Sequence, residues 1–164
     1  MMSPQEFARL VDSQAAALVL YARQWCAVPE DVVQEAFLKL VAQRPPPDNP
    51  AAWLYRVVRN AARSAARSAR RRQRYEAAAA ARAPAWFDDA NADGLDAATA
   101  TEALQDLPPD EREVIVAHLW GGLTFEQIAQ AVGSSAATCY RRYAAGLDVL
   151  RSQLGAVCPT SPTT

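Results

Sequence analysis

Hydrophobic residues recur every three or four positions along most of this chain, which is the spacing of one face of an α-helix. Ser3-Pro4-Gln5-Glu6 has the form of a capping box with proline at the first helical position, and it predicts a helix over residues 4–24. A second helix is expected over residues 29–43, ending before three consecutive prolines that lack amide donors. Runs that alternate apolar and polar residues, as strands do, are scarce. The pattern therefore predicts an all-α fold.

A third helix is expected to start after Asn49, which caps it, with Pro50 in its first turn. Its apolar residues and its arginines fall on different faces, because each set recurs at helical spacing. Six like charges on one face repel one another unless an anion is bound, so we interpret this face as a nucleic-acid surface. The six residues are Arg56, Arg59, Arg63, Arg67, Arg70 and Arg74.

The C-terminal third has the pattern of a helix-turn-helix. After a short helix ending near Leu107 and another from Pro109 to about Trp120, Thr124 opens a capping box and Gly133 ends the short helix that follows. A last helix is expected over residues 136–154, with Cys139, Tyr143, Leu147, Leu150 and Leu154 as its buried stripe. Its N-terminal part would then expose the residues that a recognition helix presents to the major groove: Ser135, Ala137, Thr138, Tyr140, Arg141 and Arg142.

Basic and acidic residues are segregated, although the 164-residue chain has a formal net charge of only −1. Residues 56–82 contain nine arginines and one acid, whereas residues 83–113 contain nine acids and one arginine. A chain of this length forms one ordinary domain or two small ones. We predict a first helical module over residues 1–76, an acidic linker over 77–101, a second module over 102–154 and a disordered tail over 155–164.

Several function classes are disfavoured by composition. The chain has three widely spaced cysteines and one histidine, His118, so no disulfide framework, zinc spacing or histidine-rich metal site is expected. We expect no catalytic residues and no cofactor, because no glycine-rich phosphate loop or nucleophile motif is present. No leader-like N-terminus or apolar run of membrane-spanning length occurs, so a cytoplasmic protein is expected.

Four segments, in this order, resemble the sigma factors of bacterial RNA polymerase, specifically the small extracytoplasmic-function (ECF) type. Residues 31–40 are similar to the family's polymerase-binding helix, and residues 49–60 to its promoter-melting helix. Residues 107–114 and 122–129 resemble the family's second module. The resemblance implies two helical modules, no enzymatic activity, and core RNA polymerase and promoter DNA as partners. It also allows an anti-sigma factor as a further partner.

The resemblance also implies roles for individual residues. The helix at 31–40 would dock on the clamp of core polymerase through Asp31, Gln34, Glu35, Phe37 and Leu38. The loop at 44–52 and the start of the third helix would hold a base flipped out of the melted minus-ten strand. The second module would bind the duplex minus-thirty-five element through the six recognition-helix residues named above. The residues implied at the minus-ten strand are Asn49, Trp53, Arg56, Arg59, Asn60, Arg63 and Arg67.

Alternatives remain open at this point. A stand-alone helix-turn-helix regulator would bind duplex DNA without polymerase, although it leaves the helix at 31–40 without a role. Trp53 fits the core as well as it fits a base-stacking site. The run Tyr140-Arg141-Arg142-Tyr143 makes the recognition helix more aromatic and basic than is usual in the family, so no promoter sequence is predicted. The opposite charges of linker and third helix also suggest that the linker folds back on that helix and suppresses DNA binding.

Overall fold

The computed structural model describes residues 2–75 and 102–157. These residues form helices and connecting turns with no strand, which confirms the all-α expectation. The linker and most of the tail, with the hypothesis that the linker folds back, lie outside the described residues. The helices are α1 (Pro4–Ala22), α2 (Pro29–Ala42), α3 (Pro50–Tyr75), α4 (102–105), α5 (Pro109–Leu119), α6 (Phe125–Val132) and α7 (Ala136–Val157).

The first module consists of α1, α2 and α3, and local capping accounts for its boundaries. The Ser3 hydroxyl accepts a hydrogen bond from the Glu6 amide at 3.2 Å, and the Glu6 carboxylate accepts one from the Ser3 amide at 2.7 Å. The Asn49 side chain accepts a hydrogen bond from the Ala52 amide at 3.0 Å and so caps α3, as predicted. Helix α1 ends two residues before the expected position, because the amide of Gln24 bonds three residues back in a tighter turn.

The second module contains the predicted helix-turn-helix. Thr124 and Gln127 form the expected capping box at α6, and Gly133 ends that helix in the left-handed conformation with φ of +71°. The Ser135 hydroxyl accepts a hydrogen bond from the Thr138 amide at 3.1 Å, which caps α7. Cys139 is fully buried where α6 and α7 cross.

Helix α7 differs from its prediction in two respects. It continues to Val157, so the segment expected to be a disordered tail begins with helix. Of the predicted buried stripe only Cys139 is fully buried, whereas Tyr143, Leu147, Leu150 and Leu154 are half-buried. The close contact with α5 is made instead at Gly146, where an added Cβ would lie 2.6 Å from the Ile115 side chain. A glycine brings the two helix backbones closer than a leucine stripe would allow.

The two modules pack against each other and share one hydrophobic core. Helix α3 lies against α6, and α1 lies against α5. Tyr21 and Tyr55 are completely buried, with ring centroids 4.8 Å apart in an edge-to-face arrangement. A Cβ at Gly121 would overlap the Tyr55 hydroxyl, so the first module fits against the backbone of the second. That hydroxyl is buried without a hydrogen-bond partner among the described residues.

Two further expectations concern cysteines and membranes. Cys26 and Cys139 are both free thiols, and Cys158 lies outside the described residues. None of the helices within residues 2–75 and 102–157 combines the length and apolar character needed to cross a bilayer.

Replacing Leu54 tests the core. We expect Leu54→Ala to lower the free energy of unfolding by about 2–5 kcal/mol, because Leu54 is completely buried and its truncation leaves a cavity. Leu38→Ala is the matched control: Leu38 is 64% exposed on α2, and its loss should change stability by about 0.5 kcal/mol or less. Urea denaturation of both variants measures the difference, and equal losses would contradict the assignment of the core.

Candidate nucleic-acid and polymerase interfaces

Helix α3 carries a continuous stripe of exposed arginines. Arg56, Arg63, Arg67, Arg70 and Arg74 are all exposed, as the helical spacing predicted. None of these five forms an ion pair with an acid within the described part of the chain. Guanidinium groups bind phosphate oxygens in bidentate geometry, and a row of them at one-turn intervals suits a polyanion. The stripe therefore has the chemistry of a nucleic-acid backbone site.

The sixth arginine of the predicted stripe, Arg59, is turned toward the second module. Its Nε donates a hydrogen bond to Glu113 Oε1 at 2.5 Å, and its Nη2 lies 3.3 Å from Glu113 Oε2. The Tyr21 hydroxyl donates to the same Oε1 at 2.5 Å. Glu113 is only 2% exposed, and it is the one charged residue among the buried residues that the structure describes. We call Glu113, Arg59 and Tyr21 the Glu113 cluster.

The electrostatics of the Glu113 cluster favour a carboxylate held by two donors. Burial raises the pKa of the Tyr21 hydroxyl well above its ordinary value, and the charge of Glu113 acts in the same direction, so the phenol keeps its proton. Burial opposes the charge on Arg59, but its hydrogen bond to Glu113 and the charge of that carboxylate outweigh burial and raise its pKa. Sequence analysis missed Glu113, because nothing local distinguishes it from the solvated acids nearby.

The loop before α3 and the first turns of the helix border a small open cavity of about 310 Å³. Trp53 is half-buried: it packs against the core and also lines this cavity, so both interpretations of Trp53 describe part of its surface. Asn60 is exposed farther along the helix. The cavity is lined from the first module by Pro47, Asp48, Asn49, Ala52, Trp53 and Arg56, and from the second module by Gln130.

Helix α2 presents four of its five predicted polymerase contacts to solvent. Asp31, Gln34, Glu35 and Leu38 are exposed, and Glu35 also pairs with Lys39 at 2.8 Å. Phe37 is buried instead, with its ring edge-to-face against Phe7 at a centroid distance of 5.9 Å. The exposed set combines acids, an amide and an apolar side chain, which suits a partner surface with basic and apolar groups.

The start of α7 presents the predicted recognition residues unequally. Ser135, Ala137, Tyr140 and Arg141 are exposed, whereas Thr138 and Arg142 are half-buried. Arg142 forms an ion pair with Asp110 at 2.7 Å, which links the recognition helix to α5. The Tyr140 ring packs edge-on against Phe125 at 5.6 Å. Arg141 is the one exposed cation among the six, and within residues 2–75 and 102–157 its side chain bonds to the Thr138 hydroxyl.

The single histidine has a structural position. His118 Nδ1 lies 2.7 Å from the Leu123 carbonyl oxygen, and its ring stacks on Phe125 at 4.5 Å. No group of three or more histidine, cysteine or acidic side chains suited to a metal ion occurs where the structure is described.

Comparison with known proteins connects these surfaces to one family. The family described as Sigma-70 region 2 matches residues 7–72, and the family described as Sigma-70, region 4 matches residues 98–150. No curated protein matches the chain. The first match holds α2 and most of the arginine stripe, and the second holds the helix-turn-helix.

Two solved structures have the same fold. One is the sigma factor RpoE in complex with the anti-sigma factor NepR from Bartonella quintana, 23% identical, covering 92% of this chain and 98% of that chain with a TM-score of 0.70. The other is CnrH in complex with the cytosolic domain of CnrY, 24% identical, covering 94% of this chain and 90% of that chain with a TM-score of 0.61. With regions 2 and 4 matched in order over more than half of its length, the chain belongs to the sigma-70 family of RNA polymerase sigma factors and is of the ECF type.

Proposed function

We propose that this sigma factor binds core RNA polymerase through α2, contacts the melted minus-ten strand through α3 and reads the minus-thirty-five duplex through α7. The observation that carries the proposal is the presence, in one chain, of the exposed arginine stripe in region 2 and the helix-turn-helix in region 4. The arginine stripe or the helix-turn-helix alone would account for binding to one DNA site. Together they account for a protein that binds two promoter sites and positions polymerase between them. The chain supplies no catalysis in this proposal and works in the cytoplasm with the polymerase.

Contact with polymerase is assigned to the exposed face of α2. Asp31, Gln34 and Glu35 offer acceptors to a basic partner, and Leu38 adds an apolar anchor that is 64% exposed. Phe37 supports this face from behind, because its contact with Phe7 fixes α2 on α1. Docking of such an amphipathic face depends on the helix being held rigidly by its own module.

Contact with the melted strand is assigned to the loop at 44–52 and the start of α3. The exposed arginines neutralise phosphates, which fixes the strand along the helix without reading its sequence. The exposed part of Trp53 offers a stacking surface, and stacking contributes about 1–3 kcal/mol per base in single-strand sites. The cavity beside Trp53 and Asn49 is the proposed place for a base rotated out of the strand.

Contact with the upstream duplex is assigned to the exposed start of α7. Arg141 is exposed and has the planar fork of donors that pairs with guanine in the major groove, and Tyr140 offers an apolar ring with a hydroxyl. The ion pair between Arg142 and Asp110 orients the helix rather than reading a base. RpoE was solved with the anti-sigma factor NepR, and CnrH with the cytosolic domain of CnrY, so an anti-sigma factor is a candidate partner of this chain as well.

Run-off transcription tests the proposed function. Purified core polymerase is incubated with and without this protein on a promoter library, and the transcript starts are sequenced. We expect protein-dependent starts at shared promoter elements, which Arg141→Ala reduces by about 10-fold to 100-fold through loss of a base contact worth about 1–3 kcal/mol. Arg151→Ala is the control, because Arg151 is exposed on the same helix and pairs with Asp148. Duplex binding without any polymerase-dependent start would instead indicate a stand-alone regulator.

Replacing Glu35 tests the polymerase surface. We expect Glu35→Ala and Gln34→Ala to weaken binding to core polymerase, because both side chains are exposed on the face assigned to the clamp. Asp12→Ala removes the same charge from the exposed side of α1 and serves as the control. Fluorescence titration with labelled core polymerase measures the affinities. If Asp12→Ala weakens binding as much as Glu35→Ala does, a general charge effect rather than this face is responsible.

The salt dependence of single-strand binding tests the arginine stripe. We expect Arg63→Ala and Arg67→Ala each to reduce the slope of log affinity against log salt concentration by about 0.7, the value for one phosphate contact on single-stranded DNA. The readout is fluorescence anisotropy of a labelled oligonucleotide at several salt concentrations. Arg9→Ala, on the exposed side of α1, should leave the slope unchanged. An unchanged slope in the two α3 variants would place the strand elsewhere.

A further inference from the structure

The two modules lie in a closed arrangement that places Arg59 of α3 in the contact between them. The Glu113 cluster spans this contact: Tyr21 and Arg59 belong to the first module and Glu113 to the second. Beside it, Tyr55 fits against Gly121. A buried carboxylate with two donors from the other module joins the modules in one defined orientation.

The closed arrangement is too small for the task that the proposed function assigns to the protein. Elements centred near positions −10 and −35 are about 25 base pairs apart, which is about 85 Å of duplex at about 3.4 Å per base pair. A compact chain of this length has a radius of gyration of about 15 Å and a diameter of about 40 Å. The modules must therefore separate before both elements can be bound.

The closed arrangement also occupies part of the surface assigned to the melted strand. Both carboxylate oxygens of Glu113 face the guanidinium of Arg59, which is the geometry in which a phosphate would bind it. Gln130 of the second module lines the cavity beside Trp53 and Arg56. Because its Nε and Nη2 are bonded to Glu113, Arg59 cannot offer that pair of donors to a phosphate, and a cavity bordered by α6 has less room for a base.

We propose that Glu113 acts as an intramolecular substitute for a DNA phosphate, which holds the free protein closed and withholds Arg59 from the melted strand. The inference rests on the proposed function and concerns the regulation of its minus-ten site. It differs from folding back of the acidic linker, because the inhibitory charge lies within region 4 and is defined by its contacts. DNA or polymerase that separates the modules exposes Arg59 and the cavity together.

An ionic contact suits a reversible closure. Burying an ion pair costs desolvation that its attraction only partly repays, so such a pair adds orientation more than it adds stability. When the modules part, both charges regain hydration, and Arg59 regains a partner when phosphate arrives. Removing only one member of the pair leaves a buried charge unpaired, which strongly disfavours the closed state.

The decisive variant is Glu113→Gln, which keeps the shape of the side chain and removes its charge. Glu126→Gln removes one charge from an exposed position of the same module and is the matched control. Dyes at Asp12→Cys and Ser152→Cys, both exposed and in different modules, report the separation by energy transfer in full-length protein. Cys26→Ser and Cys158→Ser remove the competing thiols, and Cys139 is fully buried.

We expect Glu113→Gln to lower the energy-transfer efficiency and to tighten binding of a labelled single-stranded oligonucleotide by at least about 10-fold, because the binding-competent open state is no longer rare. The salt slope should also rise by about 0.7, since Arg59 gains a phosphate. Glu126→Gln should change none of these values. Unchanged energy transfer and affinity in Glu113→Gln would overturn the proposal.

Two further measurements guard against a variant that fails to fold. Tyr21→Phe removes one hydrogen bond from the Glu113 cluster without adding charge, and it should shift energy transfer and affinity in the same directions by less. In the unmodified Glu113 protein carrying the dyes, saturating oligonucleotide should itself lower the energy transfer, because binding and closure exclude each other. Oligonucleotide that binds through the minus-ten surface and leaves the closed arrangement intact would contradict the inference.

Failure of the inference is distinguishable from failure of the proposed function. Run-off transcription by the protein with its natural Glu113 reports the function alone and does not depend on how the free protein is closed. Promoter-specific transcription combined with identical behaviour of Glu113→Gln and Glu126→Gln would leave the function standing and remove only the closure mechanism. Absence of polymerase-dependent transcription would remove the function itself.

Discussion

The burial of one carboxylate governs how the rest of this molecule is arranged. Glu113 lies in the core with almost no exposed surface, and a charge in that position is tolerated only when donors surround it. The donors come from two different helices of the first module, Tyr21 from α1 and Arg59 from α3. Satisfying one buried group therefore fixes the orientation of α5 relative to both helices, and the close approach of Tyr55 to Gly121 is compatible with that orientation.

The charge distribution along the chain acquires meaning only when it is placed on the fold. Five arginines of the α3 stripe remain exposed without an acid among the described residues, while Arg59, the sixth member of the stripe, is neutralised by Glu113. The net charge of −1 reveals neither the exposed arginines nor the neutralised one. Nucleic-acid binding is thus a property of one helix face rather than of the total charge, and one buried acid can change how much of that face is available.

Local features of the structure were predictable from the sequence because their causes are local. The capping boxes at Ser3 and Thr124, the Asn49 cap and the left-handed Gly133 involve residues within a few positions of one another. The same holds for the exposed arginines, whose spacing alone places them on one face. The resemblance of four segments to ECF sigma factors was confirmed by matches to regions 2 and 4.

What sequence reasoning missed depends on contacts between distant residues. Tyr21 and Glu113 are 92 positions apart, and Arg59 and Glu113 are 54 apart, so no periodicity could pair them. Phe37 and Leu38 are neighbours and equally apolar, yet one is buried and the other exposed, a difference set by where α1 packs. The roles of the individual polymerase-binding and DNA-binding residues stay predictions until the experiments above are done.

The fit between Tyr55 and Gly121 includes an unfavourable contribution to the closed arrangement, which favours separation of the modules. The Tyr55 hydroxyl is enclosed without a hydrogen-bond partner among the described residues, and an unsatisfied buried polar group costs about 1–3 kcal/mol. Separation of the modules returns this hydroxyl to water and recovers that energy. The contact that shapes the interface therefore also lowers the stability of the closed arrangement, which makes opening easier.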